Sequence, residues 1–204
     1  MRARLAICYC LPAGYFELRE VVLRDKPAAM TNISPKATVP VAQMKNGEVL
    51  EESLDIMRFA LDENKALKKT LLPESDENDI FDLVVQNDTD FKWALDRYKY
   101  ADRYEESQAY YREKGEDFLK QLNDRLGSHR YLMGGAFTLV DLAIFPFIRQ
   151  FAHVDKQWFD TSPYPALVQW LDGWLASELF QDIMKKYPQW HEGDEPIYFP
   201  AAVS

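Results

Sequence analysis

The sequence predicts a chain in two parts. A small α/β region runs from residue 1 to 63 and an all-helical region from 78 to 204, with a charged connector over 64–77 between them. Three observations predict this. Helix-like and strand-like runs alternate up to residue 63. An Asn46-Gly47 pair separates two short runs rich in β-formers, a strong local signal for a hairpin. Beyond residue 77 only the i, i+3, i+4, i+7 apolar spacing of helices recurs, and no strand pattern is read there.

Each element has its own reason. Residues 2–11 place Leu5, Ala6 and Tyr9 on one helical face, and "PAG" at 12–14 stops the run. "YFELREVVL" at 15–23 has the composition and rough alternation of a strand. "RDKPAAMTNISP" is a loop holding a short helix, with Pro27 suited to its first turn. "VPVAQM" and "EVLE" are the arms of the hairpin. Both central residues of a type I′ turn need positive φ, which Asn-Gly supplies. Ser53 is placed to cap the next helix, whose apolar face is Leu54, Met57, Ala60 and Leu61.

In the second part, Phe91, Ala94, Leu95 and Tyr98 share one helical face. Phe118, Leu119, Leu122 and Leu126 share another, with Gly127 as a stop. Thr138-x-x-Asp141 has the spacing of a capping box, and Phe137 with Leu142 that of a hydrophobic staple. The helix it opens, "LVDLAIFPFIRQFA", is apolar almost all round and belongs in a core, with a bend expected at Pro146. Leu167, Val168, Leu171, Trp174 and Leu175 mark one more helix, and 178–186 a short last one. The Pro- and aromatic-rich tail from 187 is expected to lie along the surface.

Composition narrows the function. The net charge of −9 disfavours a phosphate backbone, so nucleic acid is not an expected partner. No apolar run is long enough for a membrane span, and the basic start "MRARLAICYC" is too soon broken by Pro12 to read as a signal peptide. Cys8 and Cys10 point about 200° apart on a helix, so they read as two separate thiols of a reducing, cytoplasmic setting. The three histidines show no ligand spacing, and no phosphate loop or dinucleotide fingerprint occurs, so neither a metal nor a nucleotide is expected.

The stretch "SPKATVPVAQMKNGEVLEESLDIM" at 34–57 carries the functional signal. It sets Val39-Pro40 and a hairpin before two carboxylates and a serine at the mouth of an apolar helix. A helix N-terminus favours an anion, and Glu52 supplies the complement for a cation. Here the chain resembles the cytosolic glutathione transferases over nearly its whole length. "KATVPV" is similar to the family's G-x-x-P-V element, with Lys36 or Ala37 where that pattern has glycine. "EVLEESLDIM" is similar to its Glu-Ser pair, and "YLMGGAFTLVDLAIFPFIRQF" to its G-…-[ST]-x-x-D helix. "ELREVVLRDKP" is most like omega and bacterial omega-like members. The resemblance implies a thioredoxin-like N-terminal domain and a helical-bundle C-terminal domain. It also implies a cis bond at Pro40 and a homodimer.

By the same resemblance, glutathione is the co-substrate. Glu52 meets its ammonium, Ser53 and the helix amides its γ-glutamyl carboxylate, Val39 its cysteinyl backbone, and Lys26 its glycyl carboxylate. Trp93, Tyr98, Tyr104 and Tyr111 are candidates to line a second-substrate pocket. The family's first strand and the catalytic residue after it find no match, because Met1 aligns inside the first helix. The expectation is that roughly 15 further residues precede Met1, and that without that strand the N-terminal region is rearranged, poorly ordered or rescued by a partner. Cys8 and Cys10 lie too far along the helix to replace the nucleophile, since a helix N-terminus activates a thiol only in its first turn. Two functions follow: glutathione-dependent conjugation or thiol-disulfide reduction of small electrophiles or disulfides, or a non-catalytic binding role on the same fold.

Overall fold

The computed structural model describes residues 1–201. They form two compact units: Met1–Lys68 together with the chain from Glu178 onward, and Lys69–Ser177.

In the first unit, α1 (Arg2–Cys10) buries Ala3, Leu5, Ala6 and Ile7. They pack on α3 (Ser53–Glu63), which offers Ile56, Met57, Ala60 and Leu61. The apolar spacing of both helices thus makes the core of this unit. The other side of α1 meets α11 (Glu178–Ile183). Arg4 of α1 ties three segments together. It donates to Glu20 Oε2 at 2.5 Å and to the Ile183 carbonyl at 3.4 Å, and its guanidinium lies over the rings of Tyr187 and Phe199.

The strand expected over 15–23 is only β1 (Phe16–Leu18). Its partner is β4 (Ile197–Phe199), antiparallel in the register Phe16↔Phe199 and Leu18↔Ile197. The tail from 187 is therefore not a surface wrap alone. Trp190 N–H donates to the Glu20 carbonyl at 2.8 Å and Gly14 N–H to the Pro200 carbonyl at 2.8 Å, so the tail closes both ends of β1. Past Leu18 the chain soon turns, with Asp25 N–H bonded to the Val22 carbonyl at 2.8 Å.

After α2 (Ala28–Ile33), whose cap is Pro27, comes the hairpin of β2 (Ala42–Gln43) and β3 (Val49–Leu50). Its turn differs from the expected type. Gly47 has φ +89°, but Asn46 is not among the residues of positive φ. Gly47 N–H donates to the Met44 carbonyl at 2.9 Å and Met44 N–H to the Glu48 carbonyl at 2.8 Å. That is a turn on Lys45-Asn46 followed by a left-handed glycine bulge. Asn46 holds it with its side chain, accepting from Glu48 N–H at 3.0 Å. Among the described residues the strands make two separate two-stranded sheets, β1–β4 and β2–β3.

The expected connector contains a helix, α4 (Lys65–Leu71), and the division between the units falls inside it. Asn64 starts it: its Oδ1 accepts from Leu67 N–H at 3.2 Å while its Nδ2 donates to the Cys10 carbonyl at 3.0 Å. Asparagine before a helix satisfies an orphan amide, which is why this charged segment still folds.

The second unit is helical. α5 (Glu77–Gln86) runs through one π-helical turn (Asn87–Phe91) into α6 (Lys92–Lys99). α7 (Gln108–Ser128), α8 (Leu139–Ala152), α9 (Lys156–Asp160) and α10 (Pro165–Leu175) follow. The expected faces are buried, Phe91, Ala94, Leu95 and Tyr98 among them, and α8 is buried almost all round. Asp141 anchors α8. Its Oδ2 accepts from Thr138 N–H at 2.9 Å and Thr138 Oγ1 at 3.3 Å. Its Oδ1 accepts from Leu132 N–H at 3.0 Å and Trp170 Nε1 at 3.1 Å. Four donors thus meet one buried carboxyl.

Candidate functional site

The residues predicted to receive a head group lie in the first unit. α3 begins at Ser53 with Glu52 as its N-cap, in extended conformation and with no side-chain cap bond. The cap is thus one residue earlier than expected. The first intrahelical bond joins Ile56 N–H to the Glu52 carbonyl at 3.2 Å. The amides of Ser53, Leu54 and Asp55 precede it and have no partner within the helix. Helix-terminal amides of this kind favour an anion, as does the helix dipole.

The other wall is the segment from Ser34 to Pro40. Ala37 N–H donates to the Ser34 carbonyl at 2.9 Å, closing a turn on Pro35-Lys36. Ala37 has φ +51°, the left-handed region where glycine fits best. The Val39–Pro40 bond is cis, and Val39 is 45% exposed.

Two rungs tie this turn to the mouth of α3, and neither was foreseen in the sequence. Ser34, fully buried, donates its Oγ to Glu51 Oε1 at 2.5 Å. Lys36 donates its ammonium to Glu52 Oε1 at 3.1 Å, with both side chains more than half exposed. Glu52 and its neighbours Glu51 and Asp55 hold the Lys36 ammonium above its ordinary range. The signal for these rungs was in view: two carboxylates beside a Ser-Pro-Lys turn. Only the pairing of turn and helix in space distinguishes their roles.

The structure thus brings Val39, Pro40, Glu52 and Ser53 to one hairpin–helix segment. Lys26 is exposed on the lead into α2, and among the described residues no hydrogen bond or ion pair ties it to the other four. The aromatic candidates of the second unit divide. Trp93 and Tyr104 are 43% and 40% exposed, with the Arg97 guanidinium over both rings. Tyr111 is buried between them, edge-on to each. Tyr98 is 1% exposed and packs on Phe151, so it belongs to the core and not to a wall open to a substrate. A cleft of about 400 Å³ in the first unit lies elsewhere, lined by Leu18, Trp190, His191, Asp194, Glu195 and Ile197 among others.

The two thiols and the Tyr15 phenol are shifted toward their protonated forms. Burial pushes the Cys10 thiol up to about 11. Burial also raises Cys8, with Asp182 adding to the effect and Lys185 opposing it. Burial and the 2.5 Å bond to Glu63 Oε2 push Tyr15 up to about 12. An activated thiol or phenol needs the opposite shift.

Family models and solved structures point the same way. The N-terminal domain of glutathione S-transferase matches residues 2–69, and the C-terminal domain of glutathione S-transferase matches residues 93–173. A search of curated proteins returns no match. Among solved structures, glutathione transferase Omega 3C from Trametes versicolor is similar at 20% identity and TM-score 0.75, over 92% of this chain and 85% of its own. A glutathione transferase family member from Pseudomonas fluorescens, solved with two glutathione bound, is similar at 17% and 0.73, over 89% and 86%. A ternary complex of the bacterial transferase BphK is similar at 21% and 0.74, over 89% and 91%. At these identities the structural likeness is one of fold.

Proposed function

Since the chain belongs to the glutathione S-transferase family, we propose that it binds glutathione at the mouth of α3 and uses it for conjugation or thiol-disulfide reduction of small electrophiles or disulfides. The reading rests on one observation above the others: a turn leading to the half-exposed Val39 and Pro40 is tied by Ser34 and Lys36 to a helix N-terminus that carries Glu52 and Ser53. The γ-glutamyl head group has an ammonium and a carboxylate on one carbon. Glu52 takes the ammonium. The Ser53 hydroxyl and the free amides of α3 take the carboxylate. The Val39 backbone pairs with the cysteinyl unit as an added strand would. Lys26 meets the glycyl carboxylate. The exposed Trp93 and Tyr104 are offered as contacts for the second substrate, and the active form as a cytoplasmic homodimer.

A second reading, binding without turnover, is favoured by one specific observation. Cys8, Cys10 and Tyr15 are all shifted toward their protonated forms. Calorimetry with reduced glutathione, followed by assays with a generic electrophile and a glutathione mixed disulfide, separates the two. Binding with turnover supports the enzyme, and binding without turnover supports the second reading. Glu52→Gln should weaken binding about ten- to hundredfold, the range for losing a charged hydrogen bond. Unchanged binding in that variant would refute the assignment.

A further inference from the structure

The two rungs between the Ser34–Ala37 turn and the mouth of α3 look alike in sequence and differ in physics. The Ser34–Glu51 rung is closed: Ser34 is fully buried and bonded at 2.5 Å. It is a permanent part of the wall. The Lys36–Glu52 rung is open: the two side chains are 58% and 65% exposed, and they meet at 3.1 Å through one carboxylate oxygen. Exposed ion pairs of this kind are weak and exchangeable. Lys36 therefore places its own ammonium on one oxygen of the carboxylate that a ligand's ammonium would also seek.

Resting on the glutathione reading above, we propose that Lys36 is a resident counter-ion of Glu52, displaced when an α-amino head group binds, and so sets the specificity of the corner. The exchange is cation for cation, and no bond is made or broken. With Lys36 in place Glu52 is already neutralised. A ligand bearing only a carboxylate then gains the α3 amides and keeps Lys36 as a partner. A zwitterionic head group gains Glu52 instead, but only by releasing Lys36. Lys36 thus weakens binding of the zwitterion and supports binding of the ligand that lacks an ammonium. Glu51 is held by the hydroxyl of the buried Ser34, so it has no resident cation to exchange. Asp55 has its cation, Arg58 at 4.0 Å, on its own helix, so that pair does not tie the turn to α3.

The test uses the intact protein, Lys36→Met and Lys36→Arg, titrated by calorimetry with reduced glutathione and with N-acetylated glutathione, which lacks the ammonium. Lys36→Met should bind glutathione about two- to fivefold more tightly than the wild type, a range set by the weakness of exposed pairs. It should bind the N-acetylated form equally or more weakly. Lys36→Arg, which keeps the charge, should follow the wild type. Equal glutathione affinity in the wild type and Lys36→Met overturns the exchange and leaves the binding site standing. A Lys36→Met gain of the same size for both ligands also overturns it, since the effect would then be general charge and not competition. Absence of glutathione binding in all three proteins removes the site reading itself, and the exchange with it.

Discussion

Gly115, in the middle of α7, is a place where the second unit has no room, and its replacement by alanine tests the packing directly. A Cβ built there would stand 2.6 Å from Phe151 Cε2, 3.0 Å from Phe151 Cζ and 3.5 Å from Phe91 Cε2. Carbon atoms in contact sit about 3.5–4.0 Å apart, so the Phe151 ring must retreat by about 1 Å. It has little freedom to do so. Phe151 is 1% exposed and its centroid lies 4.7 Å from Tyr98, 5.3 Å from Phe91 and 6.4 Å from Trp158. Overpacking of this kind costs about 1–3 kcal/mol. Against it stands the better helix propensity of alanine, about 1 kcal/mol. Gly173 in α10 provides the control, because a Cβ added there would meet nothing within 4 Å. Gly173→Ala should stabilise by up to about 1 kcal/mol. The difference between the two variants cancels propensity and isolates the packing term, about 1–3 kcal/mol. Urea denaturation followed by circular dichroism measures both. Phe151→Leu should relieve the clash, so Gly115→Ala should cost less in that background than in the wild type. Equal stability of Gly115→Ala and Gly173→Ala, or no coupling to Phe151, refutes the reasoning.

Other expectations follow from the same structure. Ala37→Gly should stabilise by about 0.5–1 kcal/mol, because relief of a left-handed alanine at φ +51° exceeds the added freedom of glycine in the unfolded chain; denaturant midpoints measure it. Asp141 gives a pH dependence. Burial pushes its carboxyl up to about 6, against the pull of its four donors, whereas the unfolded group titrates near 3.8. The protonated form therefore favours folding fully below pH 4, and that advantage is lost as pH rises through 6, about 3 kcal/mol in all. The stability gap between wild type and Asp141→Asn should shrink over this window, and a constant gap would count against the shift. Cys10, at about 11, keeps about a thousandth of its thiol ionised at pH 8. Native protein should be alkylated by iodoacetamide there about a hundredfold more slowly than unfolded protein; equal rates would show that burial does not protect it.

How much could be read from the sequence depended on the range of the interactions. α8 was legible to its first residue, because Thr138-x-x-Asp141 and an all-round apolar run are local facts. The apolar faces of α3, α6 and α7 were legible for the same reason, as were Leu5 and Ala6 of α1, whereas Tyr9, expected on that face, is 38% exposed. β4 was not: "IYF" has no local partner, and its pairing with Phe16–Leu18 joins opposite ends of the chain. α4 was hidden by its charge, since its start depends on Asn64 reaching both Leu67 and Cys10. The turn at Asn46-Gly47 shows a finer failure. The dipeptide marks the hairpin, but Asn46 can also serve through its side chain, which leaves only Gly47 at positive φ. At the site, Val39–Pro40 and Glu52-Ser53 were legible as a pattern. Ser34 and Lys36 were not, because their roles depend on which carboxylate each one faces.

That last distinction bears on an electrostatic difficulty. Three carboxylates, Glu51, Glu52 and Asp55, crowd the first turn of α3, where a ligand carboxylate must also sit if the glutathione reading holds. Left uncompensated, they would repel it, and the helix dipole alone could not reverse that. Two of the three have a cation beside them, and the third has a hydroxyl donor. Glu51 accepts from Ser34, Glu52 from Lys36, and Asp55 stands beside Arg58. Lys36 and Arg58 are both charged and exposed, but Lys36 reaches Glu52 from the Ser34–Ala37 turn, whereas Arg58 lies on α3 itself. While the corner is empty, Lys36 neutralises Glu52, so the α3 amides stay attractive to an anion. A zwitterionic head group then brings no net charge to the complex and trades one ammonium for another, whereas a bare carboxylate adds one negative charge. Lys36 narrows that difference, because it stays beside Glu52 for the acid and leaves it for the zwitterion. The charge on Glu52 sets the preference for an ammonium and Lys36 sets its strength, so removing Lys36 should widen the gap between the two ligands.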